Sequence, residues 1–483
     1  MYQISTSKTK FCITIKFYID LTHQKQNLLL KKINVIIKTM KRTLILLIAI
    51  ICTIDCYSQD DFKYRRSSLH TMMVDNPQIV VADNFSLNIG AITRASFTDA
   101  PFPSKYDDHN ISTESQSFKF VTLTGQDEDE DEENKERVIG PNGKELSAKD
   151  SDNINQIQDY LKKNKIANKM IGKWFNQTPE GNMDQNLIIE RGWNNATDED
   201  LEDSKALSKS ANTLIANAGY ELIGNTFLVV NQYKFVDNEF VARPLYEIAK
   251  GAAMGIENEM ARNIALKVAE KAYQKAQGYT IRTKAYLFQL VWNDSISKGF
   301  YSSLLPIGKT GDELAAAKNA FDNSELFHFE FVGVEKSLNT ITSKLDPAKA
   351  QSDEQKIQEA TVRAVDRTYA KLQKNYDVFK PLSALILADG KPKECSAKIG
   401  MKEGIEGGEK FDVLKPSFNR KTGASEFKKV ATITVDKKNV WDNQYIAGQG
   451  PKIEDGEITI QATKFKGCKK NLADFYPYIR LTK

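Results

Sequence analysis

The chain has 483 residues, of which 41% are hydrophobic and 27% charged, and its 67 Lys and Arg exceed its 63 Asp and Glu to give a formal net charge of +4. This length is enough for two or three domains, each with a sizeable hydrophobic core. The composition excludes a wholly disordered, a collagen-like or a polytopic membrane protein.

The first sixty residues are predicted to lie outside the mature fold. Met40 opens a basic start, which is followed by the eleven-residue apolar run Leu44–Ile54 and by a polar end at residues 55–59. These three parts are typical of a secretory signal, whereas a membrane-spanning helix needs about 20 apolar residues. We therefore expect residues 40–59 to be a signal peptide that is cleaved after Gln59.

Two alternatives to this simple signal remain open. Residues 1–39 precede it and are rich in Lys, which indicates an upstream extension before a true start at Met40, or instead a basic arm in front of a membrane anchor. A lipoprotein would carry its lipid on Cys56, although Asp55 stands where such a signal has a small residue. The short apolar run favours export by a cleaved signal.

Removal of the leader changes both the charge and the cysteine count. Residues 1–59 carry nine basic and two acidic side chains, so the remainder has 58 basic and 61 acidic residues and a net charge of −3. We therefore expect no nucleic-acid partner, since phosphate backbones are bound by clustered Lys and Arg. Cys395 and Cys468 remain, and in an exported chain they are expected to form a disulfide, with two buried thiols as the alternative.

Residues 60–150 are predicted to be a strand- and loop-rich region. Leu69–Val74 and Phe118–Leu123 have the composition of strands, and Ala100–His109 that of an ordered loop. The uninterrupted acidic run Asp127–Glu133 lacks the spaced ligands and the Gly of a calcium loop, so we expect a solvated acidic loop.

Residues 151–380 are predicted to form a mixed α/β domain, because helical and strand periodicities alternate. The predicted helices are residues 152–170, residues 200–218 capped by Thr197, residues 245–277 opened by Pro244, Asp312–Phe321 and Asp353–Asn375. The predicted strands are Thr226–Phe235, Tyr279–Trp292, Phe327–Val334 and Leu382–Leu387.

Residues 381–483 are predicted to be a small antiparallel β domain. Its short strands, separated by turns rich in Gly, Asn and Asp, are Ser396–Ile399, Lys410–Leu414, Phe427–Val435 and Glu457–Ala462. The expected disulfide would staple this part of the chain. The fold class that follows is α+β or mixed α/β, with a central helix–strand domain and a small β domain after it.

Few patterns point to metal or nucleophilic chemistry. Asp107, Asp108 and His109 are the one compact ligand-like cluster, and they are weak metal candidates because a hydrogen-bonded loop anchor is the favoured explanation. Gly308-Lys309-Thr310 matches only the end of a phosphate-binding loop. Ser295 and Lys298 match a penicillin-binding signature whose other elements, at Ser151–Asn153 and Lys421–Gly423, occur in the wrong chain order. We therefore nominate no catalytic residue, cofactor or cofactor-binding residue.

Carboxylates of a glycosidase would sit at the borders of apolar strands, where Glu190, Glu221 and Asp294 are found. Ordinary helix caps and turn residues occupy the same positions, so the sequence does not separate the two roles.

Four segments resemble exported proteins of Bacteroidetes-type bacteria, namely Tyr64–Met73, Pro101–His109, Ile189–Ala196 and Glu221–Leu228. This resemblance implies export and brings no activity with it. Ala397–Gly400 and Gly404–Val413 more weakly resemble small β domains of envelope and flagellar assembly proteins. That second resemblance implies a fold and a compartment only.

Together these observations predict a non-enzymatic exported protein of the cell envelope, periplasmic or associated with the outer membrane or cell surface. Its expected partner is another envelope protein or a cell-wall polymer. The alternative is a carboxylate-dependent hydrolase of envelope polysaccharide.

Overall fold

The computed structural model describes residues 68–81, 86–98, 120–125, 137–184, 186–187, 221–342, 352–388, 391–419, 424–443, 453–454, 457–458, 462–474 and 477–482. They all belong to one compact unit, Tyr64–Lys483. The proposed leader, the loop Ala100–His109, the acidic run Asp127–Glu133 and the predicted helix at 200–218 lie outside the described residues.

The first part of the described chain consists of short strands and three helices. In chain order these are β1 (Ser68–Val74), β2 (Gln78–Val80), α1 (Ile89–Thr98), β3 (Phe120–Val121), β4 (Arg137–Ile139), β5 (Glu145–Ser147), α2 (Ala148–Lys163) and α3 (Ile166–Trp174). The helix predicted at residues 152–170 is two helices in the structure, and its apolar residues are buried on both: Ile154, Ile157 and Leu161 on α2, and Ile166 and Met170 on α3. The helix is interrupted at Lys165, whose φ of 51° is left-handed.

The middle part contains the long strands. It runs β6 (Thr226–Asp237), α4 (Asn238–Met254), α5 (Glu259–Ala276), β7 (Gly278–Leu290), α6 (Asp294–Gly299), α7 (Gly311–Asp322), β8 (Phe329–Thr342) and α8 (Asp353–Asn375). The predicted start of a helix at Pro244 is wrong. Asp237 caps α4 by accepting a hydrogen bond from the Glu239 backbone N–H at 3.0 Å, and Pro244 lies inside the helix. Pro244 is exposed, so water can satisfy the carbonyl that a proline inside a helix leaves unpaired.

The central sheet has the strand order β3-β1-β6-β7-β8, and β2 pairs with the same edge of β6 as β1. Strands β1, β2 and β3 are parallel to their neighbours, while β6, β7 and β8 are antiparallel. Strands from residues 60–150 and from residues 151–380 therefore share one sheet. This arrangement confirms the predicted α+β class.

Both faces of this sheet are covered, which explains why β6 is apolar along most of its length. Leu228 and Val230 contribute to one core beneath α2 and α3, and Phe227 and Val229 contribute to the core beneath α8. Helix α8 has the predicted bounds Asp353–Asn375 and is closed at its start by a Ser352 capping box. The stripe of α8 that is buried against the second face consists of Ile357, Ala360, Ala364, Thr368 and Leu372.

The last part of the chain is a second sheet, with strands β9 (Ser383–Ala384), β10 (Ile386–Ala388), β11 (Lys391–Ala397), β12 (Lys410–Asn419) and β13 (Ala424–Val435). A separate two-stranded ribbon of β14 (Ile453–Glu454) and β15 (Glu457–Ile458) precedes the sheet strands β16 (Thr463–Lys466) and β17 (Tyr478–Leu481). The sheet order is β10-β11-β16-β13-β12-β17-β9, and all its pairs are antiparallel. This part confirms the predicted antiparallel β unit. The predicted strand Leu382–Leu387 corresponds to β9 and β10 of this second sheet. Its assignment to the mixed α/β domain with the central sheet is therefore wrong.

Cys395 of β11 and Cys468, which follows β16, are joined by a disulfide with a Cα–Cα distance of 6.4 Å. Both cysteines are buried in the core of the second sheet. Strands β11 and β16 are already paired through Cys395 and Phe465, so the disulfide closes a loop between neighbouring strands. Over the described part of the chain, no helix is both long and apolar enough to cross a membrane.

Candidate functional site: a carboxylate cleft and a helical hairpin

The structure places the residues predicted from the sequence in very different settings. Asp107, Asp108 and His109 lie outside the described residues, as does Glu190. His328 is exposed on its strand, as its alternation with Phe327 and Phe329 predicts. In the described ranges no group of three or more His, Cys, Asp and Glu side chains is arranged to hold a metal ion.

Glu221 and Asp294, the other two carboxylates at strand borders, line the same cleft. Its volume is about 500 Å³, and Glu330 of β8 is a third carboxylate in its wall. Asn225, Gln289 and Asn293 add side-chain amides, and Trp292 adds an aromatic ring. Glu221 and Glu330, the first and last of these residues, are more than a hundred positions apart in the sequence. The pairing of strands in the central sheet brings them together.

The cleft lies at the end of the two central strands. Gln289 is the cross-strand neighbour of Glu330, and its amide nitrogen donates to the Gly224 carbonyl oxygen at 2.8 Å. This bond ties the residues before β6 to the end of β7. Beyond β7, Asn293 caps α6 by accepting from the Ile296 N–H at 3.0 Å, which places Asp294 in the first turn of that helix.

Trp292 is held by other aromatic rings. Its ring stacks on Phe327 with a centroid distance of 6.5 Å and meets the edge of Phe300 at 5.8 Å. Phe175 lies 6.4 Å away on a third side. A ring packed in this way keeps one position, so the cleft has a rigid aromatic element beside hydrogen-bonding groups.

A second candidate site is the helical hairpin of α4 and α5, which connects β6 to β7. The two helices are linked by residues 255–258 and run antiparallel, with Tyr246 stacked on Tyr273 at 4.8 Å. Near the strands, the Tyr273 hydroxyl donates to Glu239, and the Thr280 hydroxyl donates to the Asn238 side-chain oxygen at 2.7 Å.

The hairpin exposes an unusual number of large apolar side chains. Among the described residues, fourteen large hydrophobic side chains are exposed, and eight of them are on the hairpin: Phe240, Val241, Leu245, Ile248, Met254, Met260, Ile264 and Val268. Each is more than half exposed, and α5 has no buried residue. Exposed apolar patches larger than a few hundred Å² mark binding surfaces, whereas scattered single residues need no explanation.

The remaining sequence patterns lead to no site. Ser295 and Lys298 are exposed on α6, whereas Asn153 is buried and donates to the Tyr286 hydroxyl at 3.0 Å, so it serves the core. Lys309 and Thr310 border a shallow groove of about 690 Å³ that also contains Glu180 and Asp322. Lys318 also lines the groove and pairs with Asp322, so the two carboxylates are balanced by Lys309 and Lys318 and the groove has no excess of positive charge for a phosphate.

Sequence reasoning missed Trp292, Glu330 and the hairpin surface. Trp292 ends the predicted strand Tyr279–Trp292 and Glu330 lies within the predicted strand Phe327–Val334, and neither position carries a functional pattern. For the hairpin a signal was present, since Val241, Leu245 and Ile248 recur at helical spacing and Met260, Ile264 and Val268 at every fourth position. Such spacing normally marks a buried face. Only the structure shows that these side chains are exposed.

No protein-family model matches this chain, and no curated protein is similar enough to it to count as a match.

Proposed function

We propose that this protein is an exported, non-enzymatic protein of the cell envelope that binds a cell-wall polymer, and that the Trp292 cleft holds a short segment of uncharged glycan. The signal-like residues 40–59 and the disulfide between Cys395 and Cys468 support an extracytoplasmic location. The observation that carries the ligand assignment is an immobilised indole ring beside carboxylates and amides in one cleft.

The chemistry of the cleft selects the ligand class. A sugar ring offers an apolar C–H face that an aromatic ring can cover, and its hydroxyl groups can donate to Glu221, Asp294 and Glu330 or bond to the amides. Three carboxylates disfavour phosphate, sulfate and uronic acid groups by charge repulsion. An uncharged oligosaccharide satisfies both conditions.

Binding can be measured by titration calorimetry of the purified protein with hexamers of glucose and of N-acetylglucosamine. We expect Trp292→Leu to weaken binding about tenfold or more, equivalent to about 1.4 kcal/mol. Because Trp292 also packs on Phe300 and Phe327, Asn225→Ala provides a second test at an exposed position of the cleft. Glu313→Gln, an exposed carboxylate on α7, is the matched control and should leave the affinity unchanged.

Failure of the wild-type protein to bind either hexamer at millimolar concentration would overturn the glycan assignment. Equal affinity of wild type, Trp292→Leu and Asn225→Ala would place the binding site elsewhere.

The three carboxylates also favour a second candidate function, hydrolysis of an envelope polysaccharide. A glycosidase uses two carboxyl groups about 5 to 9.5 Å apart. One donates its proton to the glycosidic oxygen, and the other attacks the anomeric carbon or activates the water molecule that is consumed as the chain is cut. New reducing ends should then appear on incubation with the hexamers, and Glu221→Gln, Asp294→Asn or Glu330→Gln should abolish them while binding persists. Binding without new reducing ends supports the non-enzymatic proposal.

A further inference from the structure

In the described part of the chain, the α4–α5 hairpin (Asn238–Met254 and Glu259–Ala276) connects the end of β6 to the start of β7, and the Thr280–Asn238 hydrogen bond joins it to β7 at that end. It is inserted between strands that pair directly, since Asp237 at the end of β6 is the register partner of Tyr279 at the start of β7. With 17 residues in α4, the hairpin extends about 25 Å. The inner faces are used by Tyr246 and Tyr273, so the apolar outer faces serve no contact within the hairpin.

We propose that this hairpin is a self-association arm, and that a second copy of the same hairpin covers its apolar outer face. The eight exposed side chains, at roughly 100 Å² each, offer on the order of 800 Å², which is the area that one partner contributes to a standard protein–protein interface. A two-fold pair of hairpins would form a four-helix bundle, in which outer apolar stripes become a core.

The distribution of charge along α5 favours antiparallel pairing with another α5. Glu257 in the linker just before α5 and Glu259 at its first position are acidic, whereas Lys271 and Lys275 near its end are basic. If the two-fold axis passes Ile264, Met260 of one copy faces Val268 of the other, and Glu257 faces Lys271. This register joins apolar residues to apolar residues and opposite charges to each other.

The same charges favour a protein partner over a lipid surface. Helices α4 and α5 together carry six Lys and Arg and four Glu, so the polar surface is mixed in sign. Amphipathic helices that lie on membranes have polar faces rich in Lys and Arg, which anionic lipids attract.

Association through the hairpin leaves the cleft accessible. Strand β7 begins at the hairpin with Gly278 and ends at the cleft with Gln289 and Leu290, so the two sites are at opposite ends of the strand. A dimer would carry two clefts, one on each copy, and could hold a repetitive polymer at two points with a gain in avidity. The dimer itself does not depend on the nature of the ligand in the cleft.

The test is sedimentation velocity of the purified protein at about 1 to 100 µM, because the weakest interfaces of standard area dissociate at roughly micromolar concentration. We expect wild type to dimerise and Ile264→Glu, which places two like charges at the axis, to raise the dimer dissociation constant roughly hundredfold or more. Ile307→Glu is the matched control, because Ile307 is 62% exposed and Ile264 59% exposed, and it should leave dimerisation unchanged.

Two further variants test the register. Glu257→Lys and Lys271→Glu should each weaken the dimer, and the double exchange should restore it. With Ile264→Cys, oxidation should link two copies through the axis, whereas Ile307→Cys should not add such a link.

A wild-type protein that stays monomeric at 100 µM would overturn the proposal, and so would a dimer that is equally sensitive to Ile264→Glu and Ile307→Glu. Sedimentation of the monomer with vesicles of anionic phospholipid would then identify a membrane surface as the occupant.

Discussion

The carboxylate of Asp150 lies 2.8 Å from the ammonium nitrogen of Lys284, at a point where Lys284 and Lys336 face each other on neighbouring strands. Lys336 is 3.4 Å from the second carboxylate oxygen of Asp150. Two lysines directly opposite each other in a sheet repel, so the buried aspartate from the first turn of α2 holds them together. This ion pair connects α2 to the central sheet.

The pKa of Asp150 should be visible in the acid stability of the protein. Burial raises this pKa, but Lys284, Lys336 and the Ser147 side chain outweigh burial and lower it from 3.8 to about 2. Because the pKa is depressed in the folded state, the stabilisation is present above about pH 4 and is lost as the pH falls towards 2. It amounts to about 2 kcal/mol.

We expect Asp150→Asn to lower the free energy of unfolding by about 3 kcal/mol at pH 7, because the half-buried Lys284 and the more exposed Lys336 then lose the negative charge of Asp150. The variant should also lose less stability than wild type between pH 4 and pH 2. Urea unfolding at a series of pH values measures both effects. Asp152→Asn, an exposed change on the same helix, should shift stability by no more than about 0.5 kcal/mol, and equal effects of the two variants would contradict the assignment.

The disulfide should make the stability of the protein sensitive to reductant. Cys395 and Cys468 are 73 positions apart, and closing a loop of that length stabilises a fold by about 4 kcal/mol on the chain-entropy estimate. We expect the urea midpoint of wild type to fall when reductant is added, and that of Cys395→Ala/Cys468→Ala to be low under both conditions. A wild-type midpoint that ignores reductant, together with thiol labelling of both cysteines, would show that the bond is absent from the isolated protein.

Two glycines should respond to alanine with opposite signs. A Cβ at Gly400 would collide with the Trp441 carbonyl oxygen and would lie 2.8 Å from the Asn443 side-chain oxygen. Asn443 in turn donates to Glu403 at 2.9 Å, so this corner of the second sheet cannot open without losing buried hydrogen bonds. We expect Gly400→Ala to destabilise the protein by about 2 kcal/mol or more.

Gly251 lies inside α4, and a Cβ there would meet nothing within 4 Å. Since alanine is a better helix former than glycine, Gly251→Ala should stabilise the protein by about 0.5 to 1 kcal/mol. Thermal unfolding of both variants checks the pair. A destabilised Gly251→Ala variant would show that another molecule packs against the surface of α4 at Gly251.

The base of the hairpin should control how often it opens. Tyr273 donates to Glu239 and stacks on Tyr246, so Tyr273→Ala removes both contacts. We expect amide exchange in α4 and α5 to accelerate about tenfold, while exchange in β6 and β7 is unchanged, because the hairpin is a peripheral unit. Hydrogen exchange measured by mass spectrometry resolves these segments. Gln274→Ala, at an exposed position on α5, is the control, and acceleration in β6 as well would show that the hairpin and the sheet unfold together.

Elements with local signals were predicted closely. Helix α8 follows from its Ser352 cap and its period of apolar residues, and β7 follows from the apolar run between Gly278 and Trp292. The start of α4 was missed because Pro244 is a common first residue of helices, whereas here an aspartate seven positions earlier provides the cap. Residues 382–387 were recognised as strand, but their sheet was not, because pairing partners are distant in sequence.

In the candidate cleft, too, some residues could be found from local sequence and others only from the tertiary structure. Glu221 and Asp294 were noted for their positions beside apolar strands, and that is a local property. Their approach to Glu330 and Trp292 depends on the pairing of β6 with β7 and of β7 with β8. The register of these strands cannot be predicted from any local sequence pattern.

By itself, the sequence determined the fold class, the bounds of the longest helix and the two cysteines that could pair, because composition, period and capping act over a few neighbouring residues. Tertiary structure alone decided which carboxylates share a cleft and which apolar helix faces stay exposed. The physical reason is that an apolar stripe on a helix has the same sequence pattern whether it packs on the core of its own chain or remains exposed for contact with another copy. Whether it is covered depends on which elements the sheet order brings against it, and that is a property of the whole fold.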